Sequence, residues 1–137
     1  MPRGSHVAAA LLEAWNAHDV ERIVAVHAPD CCLVDVAQAH RIRGHAALRT
    51  VIERYLRAFP DLHLHAGRPV VQEVRCAIFW TATGTHQGSL LHIPATGRRV
   101  TVRGSSLLIL NGDLIAEQVV VWDVAGWLRA VGLLPDL

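Results

Sequence analysis

Two aspartates and a histidine are the side chains whose types and positions suit proton-transfer chemistry. Asp123 follows the apolar run at residues 119–122 and precedes a short helical pattern. A carboxylate at the end of a buried strand must be hydrogen-bonded, cap a helix or lie in a pocket. Burial in a pocket makes a carboxylate a usable acid or base near neutral pH. The position of Asp123 is therefore compatible with helix capping and with catalysis.

Asp35 and His86 are the other candidates for moving or holding a proton. In the apolar segment 31–36, strand alternation places Cys31, Leu33 and Asp35 on one face. Asp35 is then either a second inward carboxylate or a strand-end residue that faces water. His86 lies near the end of another apolar segment, where it either orients or shares a proton, or has a structural role.

The nine histidines also raise the question of a metal site. His63 and His65 lie two residues apart on a predicted strand, so their side chains share a face and could supply two ligands. No third ligand is evident near them, and Cys31 and Cys32 point to opposite faces of their strand. The sequence lacks a glycine-rich phosphate loop, a Gly-x-Ser-x-Gly elbow and a paired-histidine metalloprotease helix. We therefore predict no metal and no cofactor.

The composition predicts one globular domain. The 137 residues are 52% hydrophobic and 18% charged, which suits a chain that buries a core. A net charge of +1 gives no electrostatic reason to expect nucleic acid as a partner. No apolar run approaches the roughly 20 residues that cross a bilayer, and three cysteines do not make a disulfide framework, so we expect a soluble cytoplasmic protein. Residues 1–6 resemble a tag remnant or a disordered N-terminus, and residues 7–137 form the predicted domain.

The candidate groups must be positioned by three helices followed by a series of strands. Helices are predicted at residues 7–17, 20–26 and 48–59, and the third has the clearest amphipathic pattern. Strands are predicted at residues 31–36, 62–65, 70–73, 76–86, 98–110 and 114–122. Asn111 and Gly112 favour a two-residue hairpin before the last strand. Segregated helices and antiparallel strands indicate an α+β domain in which a curved sheet wraps over the helices.

Several short motifs along the chain are together typical of one protein family. They are Trp15-Asn16-Ala17-His18-Asp19, Arg43-Gly44-His45, Phe59-Pro60-Asp61-Leu62, Gly84-Thr85-His86-Gln87-Gly88, Ile93-Pro94-Ala95-Thr96-Gly97-Arg98, Asn111-Gly112, and Asp123 with Gly126, Leu128 and Gly132. With these motifs the chain resembles the SnoaL-like polyketide cyclase family over nearly its whole length from Val7.

The resemblance implies a cone-shaped α+β barrel of the ketosteroid-isomerase type. In that fold a strongly curved, mostly antiparallel sheet wraps over three N-terminal helices, a short C-terminal helix follows, and an apolar pocket remains. The family resemblance also implies a homodimer. In its cyclases an aspartate at the position of Asp123 is the acid/base of an intramolecular aldol closure, which needs neither metal nor cofactor.

Two functional hypotheses follow. In the first, the chain is an acid/base enzyme of cyclase or isomerase type that acts on a hydrophobic carbonyl compound, with Asp123 transferring the proton and His86 orienting or sharing it. In the second, the chain only binds a hydrophobic small molecule, and Asp123 is a cap or a polar anchor. The predicted pocket residues are Trp15, Tyr55, Phe59, Trp80, Val119 and Val121.

Two further expectations concern the outer surface and another chemistry. If the outer face of the sheet exposes Val120 and Trp122, this apolar patch favours a homodimer through that face. A third hypothesis is an epoxide hydrolase, whose mechanism needs a clustered Asp-Arg-Asp. Asp35, Arg103 and Asp123 supply these residue types.

Overall fold

Four helices and one seven-stranded sheet make up the fold in the computed structural model, which describes residues 2–136. The helices are α1 (Arg3–Asn16), α2 (Val20–Ala25), α3 (Gly44–Ala58) and α4 (Val124–Ala130). The strands are β1 (His27–Asp35), β2 (Ile42–Arg43), β3 (His63–Ala66), β4 (Val70–Gln72), β5 (Arg75–Thr85), β6 (Arg99–Asn111) and β7 (Leu114–Trp122). No helix in this described range is long and apolar enough to cross a membrane.

The helices bury one face each, as their apolar spacing predicts. On α3, Leu48, Val51 and Ile52 are buried, while charged residues occupy the opposite side. The helix begins directly at Gly44, whose positive φ of 77° suits a glycine. α2 begins where Asp19 accepts a hydrogen bond from the backbone N–H of Arg22 at 3.1 Å, an N-cap that the sequence predicted.

Helix α1 begins at Arg3, earlier than the predicted residue 7. Gly4 is buried against the sheet, and an added Cβ there would lie 3.0 Å from Cγ1 of Val71. The Sγ of Cys76 donates a hydrogen bond to the Gly4 carbonyl at 3.5 Å. Residues 3–6 are therefore helical rather than disordered, whereas their origin as a tag stays a prediction. Met1 lies outside the described residues.

The sheet is mixed and open. Its strand order is β2-β1-β7-β6-β5-β3, and β4 also pairs with β5. All pairs are antiparallel except β1 with β7, and β2 and β3 form the two ends of the described sheet. A two-residue turn connects β6 to β7 and makes the predicted hairpin, with Gly112 at a positive φ of 63°. The turn residues are Gly112 and Asp113, one position later than predicted, because Asn111 still pairs with Leu114. The predicted α+β fold class is confirmed.

The two faces of β7 are the reverse of the expected arrangement. Gln118 and Trp122 are only 8% and 9% exposed and point toward the helices, together with Val120. Val119 and Val121 are 36% and 49% exposed on the outer face. The expectation that Val120 and Trp122 lie outside is therefore wrong. Three consecutive valines give both faces of this strand an apolar character, so alternation alone could not identify the inner one.

Candidate active site

A cavity of about 140 Å³ lies between the inner face of the sheet and helices α1, α2 and α3. Its wall is mainly apolar, which suits a hydrophobic ligand. Four of the six predicted pocket residues line it, namely Trp15, Tyr55, Phe59 and Trp80. Val119 and Val121 do not, because they lie on the outer face of β7. The polar side chains along the wall include His27, Asp35, Tyr55, Ser106 and Gln118.

Asp35 is the buried carboxylate of the cavity wall. It is 5% exposed, so it is the inward carboxylate that the sequence left as one of two alternatives. Tyr55 donates its hydroxyl to Oδ2 at 2.7 Å, whereas Oδ1 accepts the indole N–H of Trp122 at 3.1 Å and the backbone N–H of Ala37 at 2.8 Å. A carboxylate has about four acceptor positions. Three are occupied here, and the remaining one belongs to Oδ2.

The partners of Asp35 are neutral donors rather than cations. Among residues 2–136, no lysine, arginine or histidine forms an ion pair with this carboxylate. Burial and the nearby charge of Asp35 raise the pKa of Tyr55 well above its usual value. Tyr55 therefore remains a protonated donor near neutral pH. Gln38 supports it by donating its side-chain amide to the Tyr55 hydroxyl at 3.3 Å.

A second buried polar pair, His27 and Gln118, lies on the same wall. Nδ1 of His27 lies 2.8 Å from the carbonyl of Ile23, which can only accept, so this nitrogen carries the hydrogen. Nε2 is then an acceptor for the Gln118 amide at 2.9 Å. Burial lowers the pKa of His27, although the bond to Ile23 opposes this effect. His27 is thus a neutral imidazole that fixes the orientation of Gln118.

Asp123 lies outside the cavity. It is exposed, and its Oδ1 accepts the backbone N–H of Gly126 at 2.8 Å, so it caps α4. This geometry matches the capping interpretation of the sequence, and the predicted contact with the pocket is absent from the described cavity wall. Arg103 is also exposed, on the outer side of β6, whereas Asp35 is buried inside. The Asp-Arg-Asp cluster of the epoxide hydrolase hypothesis is therefore not assembled.

His86 is fully buried but does not line the cavity. Its Nδ1 lies 3.0 Å from Oγ1 of Thr96, which connects the end of β5 to the following loop. Its ring packs at centroid distances of 5.7 Å from Phe59 and 5.4 Å from Trp127. Burial lowers the pKa of His86, and the backbone of Gly88 opposes this shift. These contacts match the structural interpretation of His86.

The histidine pair on β3 does not form a metal site with neighbouring ligands. His63 and His65 are both exposed. Within residues 2–136, no three histidine, cysteine, aspartate or glutamate side chains are grouped as a metal site requires. Their shared face on β3 was predicted correctly.

The comparisons with known proteins agree with this arrangement of a curved sheet over helices. A family model for SnoaL-like polyketide cyclases matches residues 5–131, and the chain belongs to this family. No curated protein matches the chain.

Solved structures share the fold over nearly the whole chain. AclR from Streptomyces galilaeus, provisionally described as a hydroxylase, is 28% identical, with a TM-score of 0.85 over 98% of this chain and 87% of that one. TsrD from Streptomyces laurentii is 26% identical, with a TM-score of 0.85 over 98% and 99%. IdmH from Streptomyces antibioticus, provisionally assigned as a polyketide cyclase, is 23% identical, with a TM-score of 0.81 over 94% and 98%. A shared fold does not select one reaction.

Proposed function

We propose that this protein is a cofactor-independent acid/base enzyme, of cyclase or isomerase type, for a hydrophobic carbonyl compound. In this proposal Asp35, rather than Asp123, transfers the proton. One observation carries the proposal: a buried, unneutralised carboxylate lies on the wall of an apolar cavity with one acceptor position of Oδ2 unoccupied. A carboxylate in such a place needs no metal to remove a proton beside a carbonyl group.

The proposed step moves one proton and two electron pairs. Oδ2 of Asp35 takes a proton from the carbon next to the carbonyl, the C–H electron pair forms the C=C bond of an enolate, and the π pair of the C=O bond moves onto the oxygen. In an isomerisation, Asp35 returns the proton to another carbon. In a ring closure, the enolate carbon attacks a second carbonyl, and the new alkoxide takes the proton from Asp35. Tyr55 and Trp122 hold the carboxylate in place throughout.

The size of the cavity limits the ligand. At about 140 Å³ it is close to an engineered cavity of about 150 Å³ that holds one benzene molecule. It therefore encloses one small ring, or only the reacting part of a larger molecule. A polycyclic substrate extends through the mouth of the cavity.

The test uses a probe that needs only a base and an apolar site. In nitrobenzisoxazole, removal of the ring C–H proton breaks the N–O bond and releases a coloured cyanophenolate. Asp35→Asn is expected to lower the protein-catalysed rate by about 10²- to 10⁴-fold, as for loss of a general base. Asp123→Asn is the matched control, since asparagine caps helices as well as aspartate does.

Turnover in the two asparagine variants shows which aspartate is the base. Unchanged turnover in Asp35→Asn, with loss in Asp123→Asn, would refute the role of Asp35 and support the prediction for Asp123. Circular dichroism melting of both variants shows whether each is folded.

A binding protein without turnover is the second candidate. The observation that favours it is the set of three neutral donors around Asp35, which suits a fixed polar anchor as well as a base. Trp15, Trp80 and Trp122 line the cavity, so tryptophan fluorescence reports ligand entry. Saturable quenching by nitrobenzisoxazole, with no rate above that of free acetate, would select binding over catalysis.

We also propose a homodimer through the outer face of the sheet, with corrected contact residues. Phe79 is 66% exposed on β5 and pairs with Ser105 on β6. Ser105 in turn pairs with the exposed Val121 on β7, so the three residues form one row across the sheet. This row gives the outer face an apolar patch that a second copy can cover. Light scattering after size-exclusion chromatography is expected to give a dimer for the wild type and a monomer for Phe79→Glu. A wild-type monomer would contradict the dimer, and an unchanged Phe79→Glu dimer would contradict this surface.

A further inference from the structure

Ser106 presents a hydroxyl hydrogen that has no partner within the described chain. It lies on the inner face of β6, is 6% exposed and lines the cavity. The indole Nε1 of Trp80 lies 3.1 Å from its Oγ. An indole N–H can only donate, so Oγ is the acceptor in this bond. The hydroxyl hydrogen of Ser106 consequently remains available for a ligand.

The register of the sheet aligns Ser106 with Asp35. Asp35 pairs with Val120 on the neighbouring strand, and Val120 pairs with Ser106 on the next. Two strand spacings separate the backbones of Asp35 and Ser106 by about 9.5 Å. A base and a donor each contact the ligand at about 3 Å. Asp35 and Ser106 both line the cavity, one on each side of Val120, so a ketone that lies over Val120 faces both of them.

The hydroxyl of Tyr55 and one amide hydrogen of Gln118 are already engaged. Tyr55 donates its only hydroxyl hydrogen to Asp35. Gln118 gives one amide hydrogen to His27, and it pairs with Leu33 rather than with Asp35 in the sheet. Its second hydrogen is therefore displaced by two residues along the strand. Ser106 is the uncommitted donor that lies in the same row as Asp35.

We propose that Ser106 donates a hydrogen bond to the carbonyl oxygen of the ligand. This inference rests on the proposed function, because it supplies the group that stabilises the enolate oxygen formed when Asp35 removes the proton. The bond becomes stronger as negative charge develops on that oxygen. The N–H of Trp80 polarises the Ser106 hydroxyl and makes it a better donor. The ligand class is thus a ketone whose oxygen reaches β6 while its acidic carbon faces β1.

Gly104 explains how Trp80 reaches Ser106. Trp80 and Gly104 are direct neighbours across β5 and β6. A Cβ at residue 104 would overlap the indole ring of Trp80 and lie only 2.9 Å from the Cβ of Trp122. The ring therefore lies flat over the glycine, and its N–H extends to the hydroxyl two residues further along β6.

The test observes the carbonyl group of bound β-tetralone directly. Its C=O stretching frequency, measured by infrared difference spectroscopy, is expected to rise in Ser106→Ala and Ser106→Cys, because the hydrogen bond is lost or weakened. Ser105→Ala is the matched control, since Ser105 is the adjacent serine on the outer side of β6. In D₂O, α-proton exchange of β-tetralone followed by NMR is expected to slow by about 10²- to 10³-fold in Ser106→Ala, as for loss of one oxyanion donor.

The outcomes separate this inference from the proposed function. A frequency that is unchanged in both Ser106 variants, or that shifts only in Gln118→Leu, overturns the role of Ser106. Exchange that continues unchanged in Asp35→Asn overturns the proposed function, and a frequency shift in Ser106→Ala would then still support a carbonyl-binding serine. Ser106→Cys keeps the side-chain size, so a folding defect of the alanine variant does not decide the result.

Discussion

Asp35 and Asp123 lie at the same end of two parallel neighbours, β1 and β7, but Asp35 is buried on the cavity wall and Asp123 is exposed. Asp35 is the last residue of β1 and accepts hydrogen bonds from side chains of α3 and β7. Asp123 follows β7 and accepts its bond from the first turn of the next helix. The comparison shows that the chemical role of a carboxylate at the end of a strand depends on which elements pack against it. Burial by distant elements makes one a candidate base, and a local turn makes the other a cap.

The largest expected difference between the two sides concerns stability. Trp122→Ala removes a buried indole and one donor to Asp35, so it is expected to lower the free energy of unfolding by about 3–5 kcal/mol. Val121→Ala, on the exposed side of the same strand, is expected to cost less than about 1 kcal/mol. Urea denaturation of both variants measures the difference. Equal costs would contradict the assignment of inner and outer faces.

The next effect is a pH dependence that originates inside the cavity. Burial lowers the folded-state pKa of His27, so the unfolded chain binds more protons as the pH falls below about 6.5. Stability is therefore full above that pH and decreases toward the folded-state pKa, by at most about 1.4 kcal/mol per pH unit for this group. His27→Gln is expected to flatten the slope in urea titrations between neutral and acidic pH.

The exposed His63 provides the control for this pH dependence. His63→Gln makes the same change of residue type at an exposed position. A slope that His27→Gln does not change would show that His27 is not held neutral by burial.

The smallest expected effect concerns the cap outside the sheet. Asp123→Ala removes the acceptor for the N–H of Gly126 and is expected to cost about 1 kcal/mol of unfolding free energy. Asp123→Asn is expected to be nearly neutral, since asparagine is an equally good N-cap. Thermal or urea unfolding checks both values. A large loss in Asp123→Asn would indicate a role for its charge beyond capping.

Local patterns in the sequence predicted most of the fold. The spacing of Leu48, Val51 and Ile52 predicted α3, and Asn111 with Gly112 predicted the hairpin before β7. These features depend on residues within one or two turns of chain. The start of α1 was missed because Gly4 is stabilised in the helix by contacts with residues far along the chain.

The candidate site depends on contacts that no local pattern records. Asp35 meets Tyr55 twenty positions away and Trp122 eighty-seven positions away, so its environment exists only after the sheet forms. The register of β1 with β7 aligns Val120 with the inward Asp35, and a run of valines does not encode that alignment. Sequence did identify four cavity aromatics, because large rings at helix and strand positions pack inward. Ser106 was not predicted as a site residue, although a hydroxyl side chain within an apolar strand could have indicated it.

Gly104 makes the position of the Trp80 indole, which forms part of the cavity wall, sensitive to substitution. Because residue 104 has no side chain, the ring lies directly over the backbone of β6, next to Trp122 and within hydrogen-bond distance of Ser106. Any larger residue there would tilt the indole into the cavity, reduce the space for a ligand and separate Nε1 from Ser106. A substitution at position 104 therefore changes the size of the ligands that the cavity accepts, although residue 104 itself does not line the cavity.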